Sequence, residues 1–264
     1  MLDTTRQLAV VTGASTGIGL HLARQCAENG FDLVIAANEP EIEKAAGDLR
    51  IGQTTVEAVQ ADLATIDGNE ALYRALNGRP VDALLANAGR GLGKSFLEQN
   101  FGDIRHVIDT NITGTLYLIQ KIARDMSRRG EGRILITGSI AGFVPGSYHA
   151  VYNATKAFID SFSYALREEL KDSGVTVTCL MPGPTETAFF ERADLLDTNY
   201  GSQHKDSAVD VAKDGFRAMM QGEGGIVSGW QNKMQAALAH VVPAETLARA
   251  HTRKAKPGTA ESEP

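Results

Sequence analysis

A chain of 264 residues with 43% apolar side chains is long enough to bury one core of the α/β size class. Its formal net charge of −6 removes the general attraction for phosphate backbones, so no nucleic-acid partner is expected. No apolar run reaches the length of a bilayer span, Met1 to Gln7 shows no basic stretch followed by an apolar one, and Cys26 and Cys179 lack metal-ligand spacing; these features point to a soluble, cytoplasmic protein with free thiols and no membrane partner.

The first short apolar run, Leu8 to Val11, leads into Thr12-Gly13-Ala14-Ser15-Thr16-Gly17-Ile18-Gly19 and then into the helical spacing of Leu20 to Glu28. Glycines here let the backbone turn tightly and approach a pyrophosphate, whose charge meets the N–H groups of the helix opening at Gly17. Alone, the glycine spacing also fits an ordinary strand-to-helix turn. Further apolar runs at Leu33 to Ala36, Val56 to Val59, Ala83 to Ala86, Ile134 to Ile136 and Val175 to Leu180 alternate with helical segments at Glu41 to Leu49, Asp67 to Leu76, Ile104 to Met126 and Tyr152 to Leu170. Strands apolar on both faces, separated by helices, build a doubly wound α/β sandwich of three layers around a parallel sheet. Its crevice opens at the carboxyl ends of the first and fourth strands.

Two polar stretches fall on that crevice. Asp62-Leu63 follows the third strand and Asn87-Ala88-Gly89 follows the fourth, each able to meet an adenine edge or a ribose, and each also readable as a capped turn. Asn111 lies inside a long apolar helix, where its side chain competes with the backbone, so a kink that holds a water is expected. Ser139 follows the next strand, where a donor to a substrate oxygen belongs. Tyr152 and Lys156 share one face of a helix start. Moving a tyrosine from about 10 to neutrality takes roughly 4 kcal/mol, and an ammonium about 4 Å away supplies that order of energy at an effective dielectric of 20. The same pair is common on exposed helices, so its weight comes from Ser139 and the glycine loop.

With these motifs in this order, from Gln7 to Thr187, the sequence resembles the short-chain dehydrogenase/reductase family. The resemblance implies a Rossmann-type fold with about seven parallel strands, and an oxidoreductase that interconverts a carbonyl compound and an alcohol by hydride transfer with NAD or NADP. By the same resemblance Gly13, Ser15, Thr16, Gly17, Ile18 and Gly19, with Asn38, hold the dinucleotide, Asp62 and Leu63 meet the adenine, and Asn87, Ala88 and Gly89 support the cofactor and the central sheet. Pro182, Gly183, Thr185 and Thr187 form a nicotinamide-side loop. Asn111, Ser139, Tyr152 and Lys156 match the family's catalytic four: Tyr152 exchanges the proton, Ser139 holds the substrate oxygen, Lys156 lowers the tyrosine pKa and binds the nicotinamide ribose, and Asn111 positions a water in a proton relay. A homodimer or homotetramer packed through helices 104–126 and 152–170 is implied too. The same machinery serves an epimerase or dehydratase, and a dinucleotide-sensing module without turnover is the reading from another class.

Cofactor choice is set at the end of the second strand, Ile35-Ala36-Ala37-Asn38-Glu39-Pro40. Cations that accompany the phosphorylated cofactor are missing at Thr16 and Asn38, and the aspartate that accompanies the unphosphorylated one is missing at Ala37. Glu39, Glu41 and Glu43 repel a phosphate, so NAD is expected. The substrate pocket is expected at Leu92, Phe143, Tyr148, His149 and Phe189 under a lid over 188–205. Val144, Phe190 and Leu195 suggest an apolar substrate, unless they only pack the lid. His21, His106, His149, His204, His240 and His251 show no ligand spacing, so no catalytic metal is expected. One domain is expected over 1–250 with 251–264 a fraying tail. Lys233 to Arg249, interrupted by Pro243, reads as an amphipathic segment docking on the body or a subunit neighbour, with a membrane-surface anchor the weaker reading.

Overall fold

The computed structural model describes residues 6–239 and 241–260; residues 1–5, His240 and 261–264 lie outside it, and with them the reading of the N-terminus and the end of the expected tail. In chain order the elements are β1 (Leu8–Thr12), α1 (Gly17–Glu28), β2 (Asp32–Ala37), α2 (Glu41–Leu49), β3 (Val56–Gln60), α3 (Ile66–Ala75) and β4 (Ala83–Ala86). There follow α4 (Phe101–Ile108), α5 (Thr115–Arg129), β5 (Gly132–Thr137), α6 (Ala150–Glu169), β6 (Val175–Met181), the short α7 (Phe189–Arg192) and α8 (Asn199–Ser202), α9 (Ala208–Met220), β7 (Gly225–Val227), α10 (Trp230–Ala239) and α11 (Ala244–Ala255).

All seven strands are parallel, in the order β3-β2-β1-β4-β5-β6-β7, which is the Rossmann-type arrangement expected. Val11 of β1 stands between Ile35 of β2 and Leu85 of β4. The strand order reverses there, so the loops leaving β1 and β4 diverge and open a crevice at their carboxyl ends. β1 and β4 are buried at every position, because each sheet face is covered by its own apolar layer. On one face Leu22 and Cys26 of α1 pack with Ile42 of α2 and Val211 and Phe216 of α9. On the other, Leu118, Ile119 and Ile122 of α5 pack with Leu72 of α3 and Ile159 of α6.

The long helix read over Ile104 to Met126 is α4 and α5 joined by one π-helical turn, Asp109–Gly114, with Asn111 buried inside it. A π turn inserts one extra residue and frees backbone groups from the regular ladder, which is the kink anticipated at Asn111. Gly130, at φ 78°, then ends α5 in the left-handed conformation, with Arg128 and Arg129 favourably placed in the last turn.

The C-terminal segment departs from expectation. Helical spacing resumes after Pro243, and α11 buries His251 and Ala255. Beyond it, Gly258 N donates to Asp197 Oδ2 (3.2 Å) and Ala260 N to Asp197 O (3.0 Å). The ordered domain therefore runs past residue 250, and residues 251–260 dock rather than fray. Pro243 also divides the amphipathic stretch in two. Val242 and Leu247 border an apolar groove against Ala154 and Ala157 of α6, whereas Met234 and Leu238 of α10 stay exposed at 53% and 55%, so that half of the stripe does not dock on the body.

Candidate active site

The crevice is a cleft of about 670 Å³. Its rim is stitched by side chains. Thr12 Oγ1 accepts from the backbone N–H groups of Asn87 (3.0 Å) and Ala88 (2.9 Å), while Asn87 Nδ2 donates to Thr12 O (3.1 Å) and Asn87 Oδ1 accepts from Thr137 Oγ1 (3.1 Å). The ends of β1, β4 and β5 are thereby tied together. Gly13 has φ +65°, and a Cβ there would lie 2.9 Å from Ala88 Cα. Backbone rather than side chain thus faces the cleft at the start of the loop. α1 opens at Gly17 with no acidic residue in its first turn, leaving its N–H groups and partial positive charge for an anion. This donor set fits the pyrophosphate of a dinucleotide.

Gly13, Ser15, Thr16, Gly17, Ile18 and Gly19 all line the cleft, as do Asn38, Asp62 and Leu63 at one end and Asn87, Ala88 and Gly89 along its floor. Pro182, Gly183, Thr185 and Thr187 line the far wall. At the end fronted by β2, Glu39 accepts from Ser15 Oγ (2.6 Å) and pairs with Arg192 Nη1 (2.9 Å), which reaches across from α7 in the lid. His106 Nε2 stands 3.8 Å from Asp62 Oδ1. Arg192 and His106 were not singled out from the sequence as cleft residues; only their placement on elements that cross the crevice brings them there.

Ser139, Tyr152 and Lys156 also converge on the cleft. Ser139 ends β5 and caps a 3₁₀ turn by accepting from Ala141 N (3.1 Å). Tyr152 and Lys156 lie in the first two turns of α6, and Lys156 Nζ donates to Thr137 O (2.7 Å). The tyrosine pKa moves opposite to expectation. Burial pushes it up to about 12, a hydrogen bond with Ser139 draws it partly down, and the Asp160 charge pushes it up again. Lys156 Nζ is 5.9 Å from the Tyr152 ring centre, and burial pulls its own pKa down, so desolvation outweighs the attraction expected of this pair.

Asn111 joins two distant elements. Its Oδ1 accepts from Arg90 N (2.7 Å), and its Nδ2 donates to Arg90 O (3.0 Å) and Thr155 Oγ1 (2.9 Å). The side chain clamps the β4 loop to α6, spends both Nδ2 hydrogens on these partners, and does not itself line the cleft.

At the substrate end, His149 and Phe189 line the cleft, and Leu92, Phe143 and Tyr148 do not. Gly91 takes the place of Leu92, because a Cβ there would strike the Phe189 ring. The 3₁₀ turn Ile140–Phe143 directs Phe143 onto Ile140, Cys179 and Met181 and leaves Val144 facing inward. Tyr148 sits at φ 64°, a left-handed turn that carries its side chain off the wall. Leu195 is buried in the lid with Phe190 and Ala193. Tyr200, His251 and Lys254 line the cleft unforeseen, brought by the lid and by α11. His251 Nδ1 donates to the Ser147 carbonyl (2.9 Å). Rings of His149, Tyr200 and His251 lie 4.9 to 6.1 Å apart, and Phe189 is 5.1 Å from Tyr152. Among the described residues no three His, Cys, Asp or Glu side chains gather as a metal site, and no helix is long and apolar enough to cross a membrane.

A family model for short chain dehydrogenases matches residues 7–196. An "Uncharacterized oxidoreductase" of Myxococcus xanthus (strain DK1622) is 30% identical over 247 residues, covering 92% of this chain and 95% of the relative. Among solved structures, a short-chain dehydrogenase from Sphingobium yanoikuyae in complex with NADPH matches with a TM-score of 0.80 at 27% identity, over 89% of this chain and 94% of that one. A bulky-bulky ketone specific alcohol dehydrogenase from Comamonas testosteroni matches with a TM-score of 0.75 at 25% identity, over 89% and 92%.

Burial, with the neighbouring His251, holds the His149 pKa down at about 3; burial also lowers that of His251 against its bond to Ser147. The unfolded chain takes up protons on these rings near the reference value of about 6.5, so their contribution to stability is intact above that pH and is lost as pH falls towards 3. Thermal melts between pH 7 and 5 should therefore show a falling midpoint, and His149→Gln should flatten the slope. Parallel slopes in the two proteins would contradict this account.

Proposed function

The chain belongs to the short-chain dehydrogenase/reductase family, and on that premise we propose that it interconverts an apolar ketone or aldehyde and its alcohol, with Tyr152 as the acid and base. It is an NAD(P)-dependent oxidoreductase. The observation that carries the proposal is the convergence of Ser139, Tyr152 and Lys156 on the same cleft as the glycine-rich rim. When bound, the nicotinamide supplies or accepts the hydride. Ser139 shares a hydrogen bond with Tyr152 and orients a carbonyl oxygen beside the phenol. Lys156 would hold the ribose hydroxyls with its ammonium, and Asn111 fixes the Arg90 peptide and α6. Phe189, Phe190 and Val144 provide apolar walls, in keeping with the bulky ketones named for the Comamonas enzyme. The retention of all three reacting groups favours turnover over a sensing module, and product analysis separates net redox from epimerisation or dehydration.

With its pKa near 12, Tyr152 is a phenol at neutral pH, the form that donates to a carbonyl oxygen. Reduction should therefore proceed at neutrality, and alcohol oxidation should rise with pH as the phenolate forms. Tyr152→Phe should lower kcat by about 10²- to 10⁴-fold in both directions while leaving cofactor affinity within about threefold. Oxidation that is flat with pH while chemistry limits the rate would count against Tyr152 as the base.

For the cofactor, the reading favours NAD. Glu39 is held in place by Ser15 and Arg192, where it would accept from ribose hydroxyls and repel a 2′-phosphate. Steady-state kinetics should give a lower KM for NADH than for NADPH, and Glu39→Gln should narrow the gap. The opposite preference would overturn the reading and assign Arg192 to the phosphate.

We further propose a homodimer or homotetramer through the helices over 104–126 (α4 and α5) and 152–170 (α6). Phe158, 43% exposed, stacks there on Phe162 at the protein surface. Light scattering of the purified protein should give a multiple of the chain mass, and a monomer at micromolar concentration would remove this part of the proposal.

A further inference from the structure

Lys156 and Asp160 are the two buried charged side chains among the described residues, histidines aside, at 5% and 4% exposure. They stand one turn apart on α6. Burying an ion costs several kcal/mol unless it is met by charge and hydrogen bonds, so the surroundings of each show what it is for. Asp160 Oδ1 accepts from the backbone N–H of Ser139 (3.2 Å), and Cys179 Sγ lies 3.6 Å from the same oxygen. Asp160 Oδ2 is enclosed without any hydrogen-bond partner. The turn carrying Ser139 is shaped around this carboxylate, since a Cβ at Gly138 or Gly142 would overlap its oxygens. The cation whose field reaches it is Lys156.

We propose that Asp160 is a positioning residue that anchors the Ser139 backbone and supplies the counter-charge keeping Lys156 protonated inside the cleft. This rests on the reading of Ser139 and Lys156 above. Burial alone disfavours the Lys156 ammonium, and the Asp160 charge opposes that. In return, Lys156 and the Ser139 N–H draw the Asp160 carboxyl down from where burial drives it, leaving it at about 6. The other titratable groups around it are Tyr152 and Tyr164 on the same helix and Cys179 of β6. Burial raises all three, to about 12 for Tyr152 and Cys179, so they stay neutral where Asp160 titrates. Above about pH 6 the carboxylate supports the ammonium, and below it that support is withdrawn.

The test is a pH titration of the full chain labelled with 13Cε-lysine, followed by NMR, with the Lys156 signal identified by its loss in Lys156→Arg. In Asp160→Asn the amide oxygen still accepts from Ser139 N–H but the charge is gone. The Lys156 midpoint should fall by at least about one unit, a tenfold change in its charged-to-neutral ratio. A midpoint within about 0.3 unit of wild type would overturn the proposal, because a merely structural role leaves the lysine titration in place. The wild-type Lys156 signal should also inflect near pH 6 as Asp160 protonates. That inflection should move upward in Cys179→Ala, which removes a hydrogen bond to the carboxylate, and stay in place in Cys179→Ser. Its absence in wild type would overturn the proposal even if Asp160→Asn does not fold. Both readouts are independent of turnover, so failure to reduce any carbonyl would refute the catalytic reading without deciding this one.

Discussion

One partly buried chain of hydrogen bonds holds the site together. Thr12 at the end of β1 accepts from the Asn87 and Ala88 amides, Asn87 accepts from Thr137 at the end of β5, and the Thr137 carbonyl accepts from Lys156 Nζ. Each such bond is worth only about 0.5–1.5 kcal/mol net, but leaving any of these groups unpaired beside a cleft costs more. The consequence is geometric. The rim that would meet a pyrophosphate and the helix that carries the acid are linked through Thr137, whose hydroxyl bonds Asn87 and whose carbonyl accepts from Lys156 Nζ.

Burial sets the electrostatics of everything that chain supports. At about 6 Å and an effective dielectric of 20, an ammonium stabilises a phenolate by roughly 3 kcal/mol. That is too little here to offset the removal of water from the phenol. Tyr152 consequently rises, Lys156 falls and His149 is held neutral. The pairwise argument available from sequence counts only the attraction between the two residues. Burial of the phenol comes in part from Phe189, which packs on the Tyr152 ring from a distant part of the chain.

That contrast explains how much was legible. Strands and helices up to β6 follow from apolar periodicity, and the loops at their carboxyl ends bring Gly13, Asp62, Asn87, Ser139 and Tyr152 together because a parallel doubly wound sheet puts every such loop on one edge. Asn111 was legible as an irregularity but not in its partners, since its bonds reach Arg90 and Thr155, far away in the chain. Leu92, Phe143 and Tyr148 lay in the right loops and faced the wrong way. Which side of a loop fronts a cavity is decided by single dihedral angles, as at Tyr148, or by a close approach such as Gly91 against Phe189, and apolar composition carries neither. α11 was obscured by Pro243, which reads as a break in one helix although it begins another.

The lid and the C-terminal helix therefore do more than shape a pocket. α7 and α8 contribute Phe189 and Tyr200, α11 contributes His251, and His149 sits against Tyr152, Tyr200 and His251 at once. Together they wall the part of the cleft that Tyr152 faces. Arg192 leaves the same lid to grip Glu39 at the opposite end of the cleft. One segment therefore supplies walls at the substrate end and a grip on Glu39 at the end where the adenosine would lie, and the strand-and-helix pattern leaves that segment undefined.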